Sequence, residues 1–296
     1  MTMRPDSLSW KMLEFYGTRI RHRGKWWVHS RVRSLLDATY DGDLDVERGG
    51  LRWRLNPSDF VQTHLYWTGE YEPWDLLHFS RHARPGAVVF DIGANFGFYS
   101  IQVASAIEGG QVFAFEPCGE TFSRLQANIA LNHLESRITA VKLGLSNHPG
   151  PMRLETVPGN SGATCLSLRG QGEPIPLDTL DHFCETQKIR RIDLMKIDVE
   201  GHELAVLQGG GAVISKYKPV MMIEFNREAL EKSGASVERL SARLRDLGYG
   251  LFIAQRERLL PMQPFTQNLA VVNAFCIPRE QARELVSSVA AADVPA

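Results

Sequence analysis

Residues 88–97 read Val88-Val-Phe-Asp91-Ile-Gly93-Ala-Asn95-Phe-Gly97. Val88, Val89 and Phe90 end an apolar run that suits a strand buried on both faces of a parallel sheet. Asp91 closes the run, and Gly93 and Gly97 make a tight turn bare of side chains. The pattern from Phe98 to Ile107 then predicts a helix. A strand, a Gly-rich turn and a helix form the opening unit of a nucleotide-type α/β domain, whose helix N-terminus offers free N–H groups to a ligand.

The glycine spacing narrows the ligand. The turn is G-x-x-x-G, not the G-x-G-x-x-G of dinucleotide sites. Asp91 precedes the first glycine by two positions, where a carboxylate repels a pyrophosphate and attracts an ammonium group. S-adenosylmethionine carries an amino group and a sulfonium and no phosphate. Gln111 to Phe115 predicts a second apolar strand, ending in Glu116-Pro117. An acid about 20 positions past the glycines, at the end of a second strand, can accept ribose hydroxyls.

The whole chain sets bounds. At 296 residues and 44% hydrophobic, it can bury one large domain or a core with an extension. A net charge of −1 exerts no global pull on nucleic acid or an acidic membrane. Cys118, Cys165, Cys184 and Cys276 show neither C-x-x-C nor zinc spacing, as expected of free thiols in a reducing compartment. No apolar run is long enough to span a bilayer, and the N-terminus has no signal-peptide core. The expectation is a cytoplasmic protein with no transmembrane segment and no nucleic-acid partner.

Residues 1–80 differ from the rest and contain all six tryptophans. Residues 1–34 carry eight Lys/Arg against Asp6 and Glu14, a net +6 against −7 for the remainder. That asymmetry suits either a phosphate-bearing or lipid-linked substrate or a solvated helical face. Leu51 to Leu55 alternates like a half-buried strand, and Asn56-Pro57 turns the chain. Asn56-Pro-Ser-Asp59 does not match the N-P-P-[YFW] signature of amino-directed nucleic-acid methylation. The aromatic stretch from Phe60 to Phe79, with Trp67 and Trp74, either faces a sugar or cofactor or packs the extension onto the core.

Beyond Pro85-Gly86 the core alternates. Thr121–Leu131 predicts a helix and Ile138–Leu145 a third strand. Ser146 opens a turn placed for adenine contacts. Residues 151–176 predict a short strand and a flexible substrate-side loop. Asp178 or Thr179 caps a short helix. Arg191–Ile197 predicts a strand ending in Asp198-Val-Glu200-Gly-His202-Glu203, where an open parallel sheet binds its ligands. Acids at a helix start also serve the helix dipole, which accounts for Glu200 and Glu203 better than for Asp198. Pro219–Phe225 predicts another strand and Val237–Leu247 an amphipathic helix. Leu251–Ala254 and Val271–Ile277 predict two last strands. The implied architecture is a doubly wound, mostly parallel α/β sheet of seven strands with an antiparallel edge pair. It divides into an extension (1–80), a core (81–277) and a tail (278–296).

Asp91-Ile-Gly-Ala-Asn-Phe-Gly-Phe-Tyr-Ser100, Ala114-Phe-Glu-Pro117, Thr179-Leu-Asp181, Lys196-Ile-Asp-Val-Glu-Gly-His-Glu203 and Glu224 occur in that order. Together they resemble the FkbM-type methyltransferases, a branch of the class I, Rossmann-like S-adenosylmethionine-dependent fold, over roughly residues 50–277. The resemblance implies O-methylation of a small-molecule or glycan hydroxyl. It also implies that Asp91, Gly93 and Gly97 line the methionine end of the cofactor and that Glu116 holds its ribose; Asn95 of the same turn and Ser146 are further cofactor-side candidates. Asp198 and Glu200 would face the methyl group and the acceptor, with His202 a third candidate base. A Mg²⁺ held by the carboxylates and Asn226 ranks second to direct base catalysis. A nicotinamide-dependent oxidoreductase and a non-catalytic accessory protein are the competing classes.

Overall fold

The structure, a computed structural model, describes residues 4–20, 22, 24–36, 40–166, 170–262 and 271–282; the side chains of 163–165 are outside that description. Helices α1 (Leu8–Arg19) and α2 (Lys25–Leu35) come first, then the hairpin β1 (Leu44–Arg48) and β2 (Leu51–Leu55), then α3 (Gln62–Thr68) and α4 (Pro73–His82). Strand and helix then alternate through β3 (Val88–Ile92), α5 (Phe98–Ala106), β4 (Gln111–Phe115), α6 (Gly119–Leu131) and β5 (Ile138–Val141). Four strands follow in succession: β6 (Gly144–Ser146), β7 (Gly150–Val157), β8 (Asn160–Leu166) and β9 (Glu173–Thr179). Alternation resumes with α7 (Leu180–Thr186), β10 (Leu194–Ile197), α8 (Glu203–Gly209), α9 (Gly211–Tyr217) and β11 (Val220–Asn226). The last elements are α10 (Arg227–Lys232), α11 (Val237–Asp246), β12 (Tyr249–Gln255), β13 (Arg258–Pro261) and β14 (Val271–Pro278).

The main sheet has the order β13-β12-β14-β11-β10-β3-β4-β5. From β11 to β5 neighbouring strands are parallel. β14 runs antiparallel between β11 and β12, so β12 and β14 form the expected antiparallel pair at one end of the sheet. The seven expected strands are present, and β13 adds an eighth as the outer arm of a hairpin with β12. The link 263–270, the segment 167–169 and the tail beyond 282 lie outside the described residues.

Period-two alternation divides the strand side chains between two cores. Val89, Val112, Leu194, Met222 and Phe275 pack with Trp10, Trp53, Trp67 and Phe79 of the first 80 residues. Phe90, Phe115, Met195, Ile223 and Cys276 pack against the other face, with Leu204, Ile214 and Leu240. Trp67 is therefore a core residue and Trp74 is half exposed; neither reaches the cavity described below. Cys118, Cys184 and Cys276 are free and buried.

Two expectations need correction. The run 138–145 is not one strand: it breaks at 142–143, and β6 leaves the main sheet. Residues 151–176 are not mainly loop, because β7, β8 and β9 join β6 in a second sheet of order β6-β9-β7-β8. Prolines disguise these strands. Pro151 faces Pro176 and Arg153 faces Pro174 across β7 and β9. β6 pairs only with Leu177–Thr179, so the N–H groups missing from Pro174 and Pro176 fall where no third strand needs them.

The β1–β2 hairpin is fastened to α6 by two amides one turn apart. Asn128 Oδ1 accepts from Arg54 N at 2.6 Å and Asn132 Oδ1 from Arg52 N at 2.9 Å, covering an otherwise open strand edge. Asn128 Nδ2 also donates to Phe96 O at 2.9 Å, beside the Gly-rich turn. No helix among the described residues is long and apolar enough to cross a membrane. Replacing the fully buried Asn128 by Ala strands two backbone groups. Urea unfolding should show a loss of ~1–3 kcal/mol; an unchanged midpoint would mean the hairpin is held by other contacts.

Candidate active site

Strand alternation and register bring charge together at the carboxyl end of the sheet. Asp91 on β3 is the register partner of Lys196 on β10. By parity both project to the face that carries the N-terminal helices, as do Glu116 just past β4 and Glu224 on β11. A cavity of about 500 Å³ opens there, lined by Asp91, Gly93, Asn95, Glu116, Lys196, Asp198, Glu200, His202, Glu224 and Asn226 among others.

The turn after β3 is shaped by contact with β10. A Cβ on Gly93 would lie 1.8 Å from the Asp198 carbonyl oxygen, and Gly93 has φ +84°. Only glycine fits that approach. Gly97 needs glycine for its φ of +92°; a Cβ there would meet side-chain ends, Leu125 Cδ1 nearest at 2.6 Å, and it does not line the cavity. Asp91 Oδ2 accepts from Ser100 N at 3.0 Å and Ser100 Oγ at 2.6 Å. Its Oδ1 is buried without a partner, an acceptor held ready for a ligand donor. Glu116 accepts from Cys118 N and from Asn95 N, each at 2.9 Å, which fixes the carboxylate while leaving it lone pairs. Asn95 Oδ1 is likewise buried and unpartnered, on a residue with φ +49°. Burial raises the carboxyls of Asp91 and Glu116 above the usual range, against the pull of Lys196 on the first and of backbone N–H groups on the second.

Lys196, Glu72, Tyr71 and Tyr99 were not singled out as site residues in the sequence. Its Nζ donates to Asp198 Oδ2 at 2.7 Å and lies 5.1 Å from the centre of the Tyr99 ring. Burial pushes its pKa down, but Asp198, Asp91 and Glu72 together push harder and the net shift is upward. Glu72 comes from the start of α4, where its Oε2 accepts from Tyr99 Oη at 2.7 Å. Tyr71 also lines the cavity. The available signal was parity: Asp91, Lys196 and Glu224 interrupt apolar strands on a single face.

The carboxylates of Asp198, Glu200 and Glu224 converge, with one oxygen of each within 4.8 Å of the others. Burial, then the charge of Asp198, pushes Glu200 up to about 8 and Glu224 up to about 10. Glu203 stands behind them, fully buried. Its Oε1 accepts from Val199 N at 3.1 Å and Gly201 N at 3.0 Å, which holds the turn presenting Glu200. Burial raises Glu203 to about 7. His202 borders the cavity but is outside the three-acid cluster: its Nε2 lies 3.1 Å from Ser146 Oγ, and burial lowers its pKa. Ser146 is fully buried behind it and does not itself line the cavity. Asn226 lines the cavity while its Oδ1 caps α10.

A roof is tied down by Asp59. Its Oδ2 accepts from Ser161 N at 2.7 Å, and its Oδ1 accepts from Ser161 Oγ at 3.0 Å and from Gln62 N at 3.0 Å. Phe60 N donates to Gly159 O at 2.9 Å. The β7–β8 tip is thus locked to the start of α3, and Phe60, Val61, Asn160 and Ser161 close that side of the cavity.

A family model describing the methyltransferase FkbM domain matches residues 91–251, just over half of the chain. The chain belongs to the FkbM methyltransferase family. Among curated relatives, the hexuronic acid methyltransferase AglP of Haloferax volcanii is 31% identical over 125 residues, covering 41% of this chain and 49% of that one. The 31-O-demethyl-FK506 methyltransferase FkbM of Streptomyces tacrolimicus is 29% identical over 158 residues, covering 43% and 60%. The matched stretch is thus less than two thirds of either relative's length. Among solved structures, an FkbM methyltransferase from Methylobacillus flagellatus aligns over 72% of this chain and 52% of its own, with a TM-score of 0.46 and 16% identity.

Glu200 and Glu224 make stability depend on pH in a defined direction. Both keep protons in the folded state that the unfolded chain gives up near 4.5. Their protonated forms favour folding at low pH, and that contribution is lost as pH rises through about 8 and then about 10. Glu224→Gln should therefore melt at least ~2 °C above the wild type at about pH 9, with the gap closing at about pH 4. An equal gap at both would show that charge is not the cause.

Proposed function

We propose that the protein is an S-adenosylmethionine-dependent O-methyltransferase acting on a hydroxyl group of a sugar, glycan or other small molecule. The observation that carries this reading is the charge of the cavity. Among its described lining residues, Glu72, Asp91, Glu116, Asp198, Glu200 and Glu224 face a single ammonium, Lys196. An ammonium-and-sulfonium cofactor suits that wall, and the pyrophosphate of a nicotinamide dinucleotide does not. The unpartnered Asp91 Oδ1 fits the cofactor's amino group, and Glu116 fits its ribose hydroxyls. The names of similar proteins, a hexuronic acid methyltransferase, a 31-O-demethyl-FK506 methyltransferase and a 2-O-methyltransferase from Sinorhizobium fredii, support the acceptor class.

When bound, the cofactor supplies an already activated methyl group. The chain's own task is then to hold an acceptor oxygen in line and take its proton, and correct positioning alone is worth several kcal/mol. Lys196 fixes one oxygen of Asp198 and leaves the other free to meet the acceptor. Glu200, raised to about 8, is a stronger base once ionised than an ordinary carboxylate. His202, engaged with Ser146, is assigned with it to the cofactor side. The roof held by Asp59 bounds one side of the cavity in which the acceptor would sit.

A second reading rests on the convergence of three carboxylates within 4.8 Å. An all-oxygen donor set of that charge suits a hard divalent cation such as Mg²⁺, which would acidify a bound hydroxyl.

Calorimetry should show Glu116→Ala weakening S-adenosylhomocysteine roughly 10–100-fold, from loss of a charge-assisted acceptor worth ~1.5–3 kcal/mol. Unchanged affinity removes Glu116 from the site. With saturating cofactor and a panel of sugar acceptors, Asp198→Asn should lower kcat at least ~100-fold. Near-normal turnover in both Asp198→Asn and Glu200→Gln would leave these acids as helix caps. Indifference to EDTA favours the direct base; loss of activity restored by Mg²⁺ favours the cation.

A further inference from the structure

The N-terminal helices bury one face and leave the other strongly apolar. On α1, Trp10, Leu13 and Gly17 face the core, while Leu8, Met12 and Phe15 follow i, i+4, i+7 spacing on the opposite side. On the packed neighbour α2, Trp27 and Leu35 lie on one stripe with Arg31 between them. These five apolar side chains are 61–84% exposed, so they stand out from the surface and do not line a groove. A solvated helix carries polar residues on such a face.

Basic groups surround them. Lys11 and Arg19 are exposed on α1, and the Arg31 guanidinium lies 5.4 Å from the Trp27 ring centre. Glu14, the acid of α1, is committed to Arg48 at 2.5 Å. Arg33 turns inward to Thr63. Lys11, Arg19 and Arg31 thus stand beside exposed Leu, Met, Phe and Trp, although the chain as a whole carries −1. Aromatic and aliphatic side chains flanked by Lys and Arg on an amphipathic helix are the composition of an interfacial, membrane-surface element.

We propose that the α1–α2 face docks onto an anionic lipid bilayer, its apolar stripe entering the headgroup layer and its Lys and Arg side chains meeting lipid phosphates. The dock is peripheral and involves no spanning segment. It is separate from the cavity, whose lining begins at Phe60, and holds whichever acceptor is methylated. Charge selects the bilayer over a second copy of the chain, because two copies would bring like-charged patches together.

The test is co-sedimentation of the full chain with vesicles. Phosphatidylcholine vesicles containing phosphatidylglycerol should retain it at least ~10-fold more tightly than phosphatidylcholine alone, and salt should weaken the binding. The double variant Phe15→Ser, Trp27→Ser should lose at least ~10-fold in binding at unchanged melting temperature, as should Lys11→Glu, Arg31→Glu, which keeps the apolar stripe. Failure to sediment with either vesicle overturns the proposal, as does binding that neither double variant affects. A dimer in light scattering that disappears in the Phe15→Ser, Trp27→Ser variant, without vesicle binding, would assign the face to a second copy.

Discussion

The buried Lys196 ammonium is the constraint on which the site depends. A lysine that is 4% exposed survives in a sheet only if anions repay its desolvation. Asp198 does so by direct contact, with Asp91 and Glu72 adding their fields. The same lysine lets three acids sit close together on adjoining strands. The balance is incomplete: more carboxyls than cations face the cavity, and Glu200 and Glu224 respond by holding protons. An uncompensated acidic wall has two natural remedies, a cationic ligand or a proton. Under the function proposed above both remedies have a use, the cation in the cofactor and the proton in the acceptor hydroxyl.

Much of this was readable before any coordinates. Asp91, Glu116 and Asp198 stand at the ends of apolar runs, and a strand end is the one place where local pattern and ligand site coincide. The glycine spacing identified the turn, although it could not distinguish Gly93, which clears the Asp198 carbonyl, from Gly97, which supplies only its left-handed φ. Thr179 caps its helix as its position suggested. What stayed hidden was long-range. Nothing local to Glu72 or Tyr71 says that they meet β10, because that meeting depends on how α4 crosses the sheet. The pairing of His202 with Ser146, 56 positions apart, is of the same kind.

Other misreadings have local causes. Prolines and glycines made β7–β9 look like loop, because the rule that prolines break strands assumes a neighbour on both sides, and β9 lacks one along Glu173–Pro176. The aromatic content of residues 60–79 pointed both to ligand and to packing, and the structure separates them: Tyr71 faces the cavity, and Trp67 is core with its Nε1 donating to Pro57 O at 3.3 Å.

The family match begins at residue 91, at the first carboxylate of the site. It takes in the Gly-rich turn, Glu116, the Lys196–Glu203 segment and Glu224. The Phe60–Val61 wall, Tyr71, Glu72 and the Asp59 latch lie upstream of it. Cofactor-side groups and base candidates thus belong to the shared domain, whereas part of the opposite wall is contributed by this chain's own N-terminal segment. The two are not independent modules. Glu72 helps hold the charge of Lys196, and Asp59 reaches across to grip Ser161 within the domain. On the proposed function, a segment that both closes the cavity and tunes its charge is where selection among acceptors has physical leverage, because it shapes the wall from outside the Gly-rich turn.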